Sequence, residues 1–555
     1  MQKTKRLQYS SLRQNFERLQ KKLQGEEQTL HTLENKTYDV LIIGGGVVGS
    51  AAARELSKYK LSILVLEKEP DVCCETSARN SGVLHAGFNN KPGSLMAKFC
   101  VEGNRGFDKL AAELDIPYKR TGKLIVGFTE DDRERLHAMK ETGDKNGVPG
   151  LELVGKDRIQ AIAPKVGGEF AMWSPSTAIL DPFQYTVGLA ENAVKNGAAY
   201  LFCKKVTGIR WENGQYTVTA EDSEWEKPES EAQKEKLHTE KAAQAETKEY
   251  HARWIINCAG LSSAHISDML GIHGYEIHPC RGEYFILDKC LGPLLPVPAY
   301  PVPNPKEGGL GIHLTPTIDG NLLVGPSAEY IENDSDYAVT QHTMDLLLKD
   351  GARIFPYLKR EYFIRNFAGI RPKLTSKEQG GYHDFVIEHR PEAPHAVNLV
   401  GIESPGLTSA IPIAHEIIRL MQEEEKLLPN PQFDPYRKRR RPFRELSKEE
   451  QAARIRENPD EGEIICRCET VTKAEILDAI HNPLGVHTMT GIKYRCRSMM
   501  GRCQGGYCQT RIAELLQKER QERKEDVRYC REDGWMFTGA LRTKCAKAEG
   551  EAHKA

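Results

Sequence analysis

The segment Tyr38-Asp-Val-Leu-Ile-Ile-Gly-Gly-Gly-Val-Val-Gly49 leaves this chain few choices of fold. Val40 to Ile43 form the all-apolar run of a buried parallel strand, Gly49 to Lys58 a helix, and Ser62-Ile-Leu-Val-Leu-Glu67 a second strand. Strand, glycine turn, helix and strand in that order make a βαβ unit. Gly44 permits the tight turn, Gly46 lets the backbone approach a pyrophosphate, and Gly49 lets helix and strand pack closely. The helix N-terminus offers unpaired N–H groups and the positive end of its dipole to phosphates. Glu67, at the end of the second strand, is placed to accept hydrogen bonds from a ribose diol. The fingerprint predicts a dinucleotide site and does not choose between FAD and NAD.

Alternating strand and helix patterns run on to about Gln422, and a chain of 555 residues is too long for one core. The expected fold class is α/β: a Rossmann-like nucleotide-binding part with an interleaved α+β substrate part over 38–422, plus a small helical module. Within the body, 221–249 is rich in Lys, Glu and Ala and separates two strand patterns, which predicts a long solvated hairpin insertion. Residues 1–37 place Leu12, Phe16, Leu19, Leu23, Leu30 and Leu33 at helical spacing, so an amphipathic helix lying on the body or on a partner is expected. Residues 423–462 are charged and contain proline, with a basic run Lys438-Arg-Arg-Arg441. They are read as a linker ahead of a cysteine module at 463–516 and a charged tail at 517–555.

The net charge of -1 gives no global reason to expect nucleic acid as a partner. No apolar run is long enough for a membrane helix, so any membrane attachment is expected to be peripheral. The N-terminus lacks the apolar core of a signal peptide. The 14 cysteines cluster as ligands do, which points to a reducing cytoplasm, at most at the inner face of a membrane. Cys466-Arg-Cys468 and Cys503-Gln-Gly-Gly-Tyr-Cys508 offer four thiolates from two loops, a donor set for Zn²⁺ or a [2Fe–2S] cluster. Cys496 lies near enough in sequence to compete as a ligand, and the Gly-Arg-Cys-Gln-Gly setting favours Cys503.

Thr76-Ser-Ala-Arg-Asn-Ser-Gly-Val-Leu-His-Ala-Gly-Phe88 resembles the second flavin-contacting segment of the D-amino-acid-oxidase-like flavoproteins. More narrowly, it is similar to L-2-hydroxyglutarate oxidases and to the large subunit of anaerobic glycerol-3-phosphate dehydrogenase. Gly122-Lys-Leu-Ile-Val126, Arg281-Gly-Glu-Tyr284, Gly311-Ile-His-Leu-Thr-Pro316, Gly369-Ile-Arg-Pro372 and Ser404-Pro-Gly-Leu-Thr408 carry the same likeness across the body. The cysteine spacing resembles the [2Fe–2S] domain of bacterioferritin-associated ferredoxin. Arg495 to Cys508 is close to how that domain ends in the glycerol-3-phosphate dehydrogenase subunit.

The resemblance implies FAD as cofactor. Ser77, Asn80, Ser81 and Gly82 would follow the pyrophosphate and ribityl chain, and Gly260 would close over the nucleotide. Gly406, Leu407 and Thr408 would bring N–H groups to the isoalloxazine edge, where they favour the anionic reduced ring. Oxidising a secondary alcohol needs a base for the hydroxyl proton and a hold on the substrate's anionic end. His313 is the first candidate for the base and His85 the second. Arg371 is the candidate anchor for a carboxylate or phosphate, with Arg281 a weaker one.

The expected activity is oxidation of sn-glycerol 3-phosphate to dihydroxyacetone phosphate, with electrons passing through a [2Fe–2S] cluster to a partner subunit or quinone. L-2-hydroxyglutarate or another 2-hydroxy acid is the alternative substrate. Phe88-Asn-Asn, where hydroxyglutarate members prefer an aromatic pair, speaks against that alternative. A non-catalytic electron-transfer subunit is the reading from a different class.

Overall fold

The computed structural model describes residues 33, 36–223, 247–303, 311–531 and 534–537. The helix expected within 1–37, the middle of the 221–249 insertion and the end of the tail lie outside the described residues.

The βαβ unit consists of strand Thr37–Ile43, helix Val47–Leu56 and strand Ile63–Leu66. The parallel core of its sheet runs Ala396–Val400, Thr247–Asn257, Thr37–Ile43, Ile63–Leu66, Ala199–Leu201. Val40 and Ile42 enter one apolar core with Trp254, Ile413 and Ile417, whereas Leu41 and Ile43 enter the other with Tyr250 and Ile266. Both faces of the strand are therefore covered, which is why its residues are apolar without alternation. Strand Gln215–Asp222 pairs antiparallel with Thr247–Asn257 from Glu221↔Thr247 to Tyr216↔Ala252, so the charged insertion leaves from a hairpin.

A second, nine-stranded sheet roofs the nucleotide-binding part. In it, His313–Pro316 pairs with Ala299–Pro301, which pairs with Lys123–Gly127. Phe363–Lys373 runs antiparallel along His278–Leu287 and sets Arg371 opposite Cys280. Leu124, Val126, Ala299 and Leu314 face the core under helix Gln341–Ile354. Because side chains alternate along a strand, Lys123, Tyr300 and His313 face the other way, toward the nucleotide-binding part.

The cysteine module has two short strands, Ile464–Cys466 and Val471–Thr472, and helices Lys473–Ile480, Met489–Cys496 and Gln509–Arg520. Its core takes in Ile465, Ile476, Ile492, Ile512 and Leu516, and also Val527, so the packed unit reaches past 516 into the tail. The module is docked on the body. Arg495 forms an ion pair with Asp71 at 2.6 Å, and Tyr494 stacks on Phe183 with ring centroids 4.2 Å apart. The segment read as a linker is laid down as a strap. Arg437 pairs with Glu191 at 2.5 Å and its N–H donates to Glu113 O, while Arg444 bridges Asp319 of the body and Glu469 of the module. The basic run is thus spent partly inside the molecule: Arg440 pairs with Glu461 and Arg441 with Glu450.

Candidate functional site

A cavity of about 1210 Å³ opens where the parallel strands end, between the two sheets. Gly44, Gly46, Glu67, Ser77, Asn80 and Ser81 line one end of it, and Gly260, Gly406 and Leu407 line its walls. The glycines are required by space. At Gly44, with φ +108°, a Cβ would come within 2.5 Å of Cys258 O, and at Gly49 one would come within 2.0 Å of Gly44 O. Gly49 therefore does not touch the cavity; it lets the turn close beneath it. Ser77 Oγ accepts from Val47 N at 2.9 Å and so pins the second segment over the helix N-terminus. Glu67 accepts from Gly45 N and Glu69 N at 2.5 and 2.8 Å, and burial pushes its carboxyl up to about 7. A bare glycine cradle facing a buried carboxylate suits a dinucleotide, whose phosphates and ribose diol fill those two needs.

Asn80 closes a local turn, accepting from Gly82 N at 2.9 Å and donating to Ser77 O at 2.8 Å. Gly82, at φ +63°, would bring a Cβ within 2.6 Å of Leu180 O. Thr408 lies behind the wall; its Oγ1 accepts from His85 N at 2.9 Å and ties the flavin-type segment to helix Gly406–Glu424.

The catalytic candidates meet in the same cavity. His313 is 2 % exposed and its Nδ1 lies 2.9 Å from Gly311 O. A carbonyl only accepts, so Nδ1 carries the proton and Nε2 keeps its lone pair. That Nε2 is buried with no hydrogen-bond partner among the described residues, and the ring stacks on Tyr300 with centroids 3.6 Å apart. Burial first, then the charges of Lys123 and Arg371, depress its conjugate acid to about 3. His85 also lines the cavity and is held neutral by burial, Lys123 and His313.

Arg371 donates to Ser327 O at 3.1 Å and approaches Cys280 Sγ at 3.6 Å. It has no carboxylate within ion-pair distance among the described residues, which leaves a cavity-wall guanidinium free for an anion. Gly282 makes room for it, since a Cβ there would lie 2.8 Å from Arg371 Nη2. Arg281 is different: it is taken by Glu329 and Asp336 at 2.7 and 2.6 Å and braces the sheet edge.

Lys123 was not singled out by its sequence. It is 1 % exposed, with Nζ 4.6 Å from the Phe88 ring centroid and 4.3 Å from that of Tyr300. Burial lowers its amine to about 7. The available signal was a lysine heading an otherwise apolar strand. The buried pair Lys373–Glu403, at 3.0 Å, is a polar feature of the cavity wall that pattern reading passed over.

The four cysteines of the module come together as two pairs, Cys466 with Cys508 and Cys468 with Cys503. The Cys508 thiol donates to the Cys466 sulfur and helps bring Cys466 down to about 6, against burial. No three His, Cys, Asp or Glu side chains among the described residues converge as one metal ion requires. Two thiol pairs suit a cluster in which two irons share four thiolates better than one tetrahedral zinc. Cys496 stands apart, its Sγ turned to Ile492 O and Ser498 Oγ at 3.2 and 3.3 Å.

A model of the family described as "FAD dependent oxidoreductase" matches residues 39–420, and one described as "BFD-like [2Fe-2S] binding domain" matches 464–518. Glycerol 3-phosphate dehydrogenase of Caloramator mitchellensis is 34% identical over 511 residues, covering 91% of this chain and 99% of that protein. Mitochondrial L-2-hydroxyglutarate dehydrogenase of Arabidopsis thaliana is 32% identical, covering 70% of this chain and 84% of its own. Among solved structures, the FAD-bound L-alpha-glycerophosphate oxidase of Mycoplasma pneumoniae superposes with a TM-score of 0.62 at 28% identity, covering 72% of this chain and 98% of that one.

Proposed function

Since this chain belongs to the FAD dependent oxidoreductases and carries a BFD-like [2Fe-2S] domain, we propose that it dehydrogenates sn-glycerol 3-phosphate to dihydroxyacetone phosphate and passes the electrons to a partner or quinone. The observation that carries this reading is an imidazole nitrogen on His313 with no partner among the described residues, in the same cavity as the Arg371 guanidinium, which has no carboxylate partner among them. A base and an anion anchor lining one cavity are what a phosphorylated secondary alcohol needs.

In this mechanism the fork of Arg371 receives the phosphate and fixes the carbinol carbon in the cavity. His313 Nε2 takes the hydroxyl proton, with Gly311 O holding the tautomer and Tyr300 holding the ring plane. The anchor and the base are coupled. Arg371 is one of the charges that depress His313, so an anion on Arg371 offsets that charge and strengthens the base as substrate binds. Bound FAD supplies a two-electron hydride acceptor and the cluster a one-electron carrier. Gly406 and Leu407, which open helix Gly406–Glu424, line the cavity, so the positive end of that helix's dipole favours negative charge there.

The likeness to L-2-hydroxyglutarate dehydrogenases favours a second reading, in which Arg371 holds a carboxylate. Anaerobic spectra before and after each compound decide between them. We expect glycerol 3-phosphate to bleach the flavin band and lower cluster absorbance. Bleaching by L-2-hydroxyglutarate alone transfers the assignment to the second reading. Bleaching by neither, with both chromophores present, overturns both and leaves an electron-carrying subunit.

A further inference from the structure

One edge of the cysteine module is built as a contact surface. Cys466 and Cys508 are each 1 % exposed, whereas Cys468 and Cys503 reach solvent. A cluster held by these four thiolates would show one edge to water, because the Cys466–Cys508 pair is buried and the Cys468–Cys503 pair lies outside. Arg467 and Tyr507 stand beside that edge, with the guanidinium 4.4 Å from the ring centroid. Tyr507 is 44% exposed, an aromatic ring that the module's core does not use. Arg467 has no carboxylate partner among the described residues. Arg502, next to Cys503, is 84% exposed and pairs with Asp288 at 3.3 Å.

Unpaired or loosely paired arginines with an exposed tyrosine are the residue types enriched at protein contacts. Two guanidiniums flanking an electron-exit edge also select the sign of the partner. Complementary charge steers a transient partner into register and speeds encounter more than it adds affinity. Small interfaces of this kind are typical of redox encounters.

We propose that the Arg467–Tyr507–Arg502 edge is the docking surface for an acidic one-electron carrier protein. The inference rests on the proposed dehydrogenase reading only for the direction of electron flow. Each encounter oxidises the reduced cluster by one electron and reduces the carrier by one. Two encounters complete one alcohol oxidation, and the two protons of the alcohol leave through the body, not through the carrier.

The test is binding, measured by calorimetry on the holoenzyme, with two redox-inert probes: an acidic plant-type ferredoxin substituted with gallium and a basic cytochrome c substituted with zinc. We expect the acidic probe to bind at low ionic strength, with affinity falling about tenfold on moving to physiological salt. Arg467→Glu and Arg502→Glu each weaken it several-fold, Arg467→Lys restores most of it, and flavin and cluster absorbance are unchanged in all three. Tighter binding of the basic probe, no binding of either, or indifference of the acidic probe to salt and to both reversals overturns the docking surface. Substrate bleaching of the flavin is read in the same preparations. Bleaching without binding sinks the surface alone, and binding without bleaching sinks the substrate reading alone.

Discussion

Replacing Asp71 by Asn should undock the cysteine module without touching the chemistry of the body. Arg495 Nη1 and Nη2 donate to the two oxygens of Asp71 at 2.6 and 2.9 Å, and the two side chains are only 6 % and 4 % exposed. The substitution leaves a guanidinium stripped of water facing a neutral amide. Breaking one side of a buried pair costs about 3–5 kcal/mol. At about 1.4 kcal/mol per factor of ten, the ratio of undocked to docked module rises by roughly 10² to 4 × 10³.

The remaining contacts oppose this only in part. They include the Phe183–Tyr494 stack, two hydrogen bonds from Gln184 to the carbonyls of Tyr494 and Arg495, and Arg497 on Asp319 at 2.6 Å. Removing both charges, with Asp71→Asn and Arg495→Met together, deletes the uncompensated cation and should recover much of the loss. Stopped-flow absorbance separates the two events. Flavin bleaching by substrate should keep its rate in all variants, while cluster reduction slows most in Asp71→Asn and less in the double variant. Equal slowing in the single and double variants, or loss of flavin bleaching in step with cluster reduction, would refute the argument.

Other perturbations follow from the same geometry. Gly49→Ala drives a Cβ to within 2.0 Å of Gly44 O, so the purified variant should carry almost no flavin by absorbance ratio. Arg371→Met removes the cavity's anion partner and should lower kcat/KM about a hundredfold or more, mainly through KM, with Arg371→Lys restoring little because the planar fork is lost. His313 is depressed from 6.5 to about 3, chiefly by burial, so between those pH values the unfolded chain binds a proton that the folded chain refuses. Stability should therefore fall as pH drops through that window, and His313→Gln should flatten the slope of the urea midpoint against pH. Cys466→Ser should abolish cluster absorbance while flavin is retained, whereas Cys496→Ser, whose thiol bonds to Ile492 O and Ser498 Oγ, should keep both chromophores.

The sequence by itself determined the local elements whose rules are short-range. An all-apolar strand, three spaced glycines and a terminal acid specify one turn, because only glycine fits where a Cβ would strike Cys258 O or Gly44 O. The cysteine spacing likewise announced a ligand module, since thiolates in two short loops can meet without help from the rest of the chain. Tertiary structure decided what depends on distant segments meeting. That His313 is a free base follows from Gly311 O taking its other nitrogen and from burial removing water, neither visible in a histidine's position along the chain. Arg281 and Arg371 lie in similar motifs, yet two carboxylates from a distant loop claim the first and leave the second open. Lys123 lost its water only when a nine-stranded sheet set it between Phe88 and Tyr300. The charged segment at 423–462 looked like a linker because its composition is solvated. Its arginines become a strap because the carboxylates that neutralise them, Glu191, Asp319 and Glu461, are brought beside it by the folded body and module. Backbone turns are settled by sterics within a few residues, whereas the state of a charge is settled by whatever the fold places within a few ångströms of it.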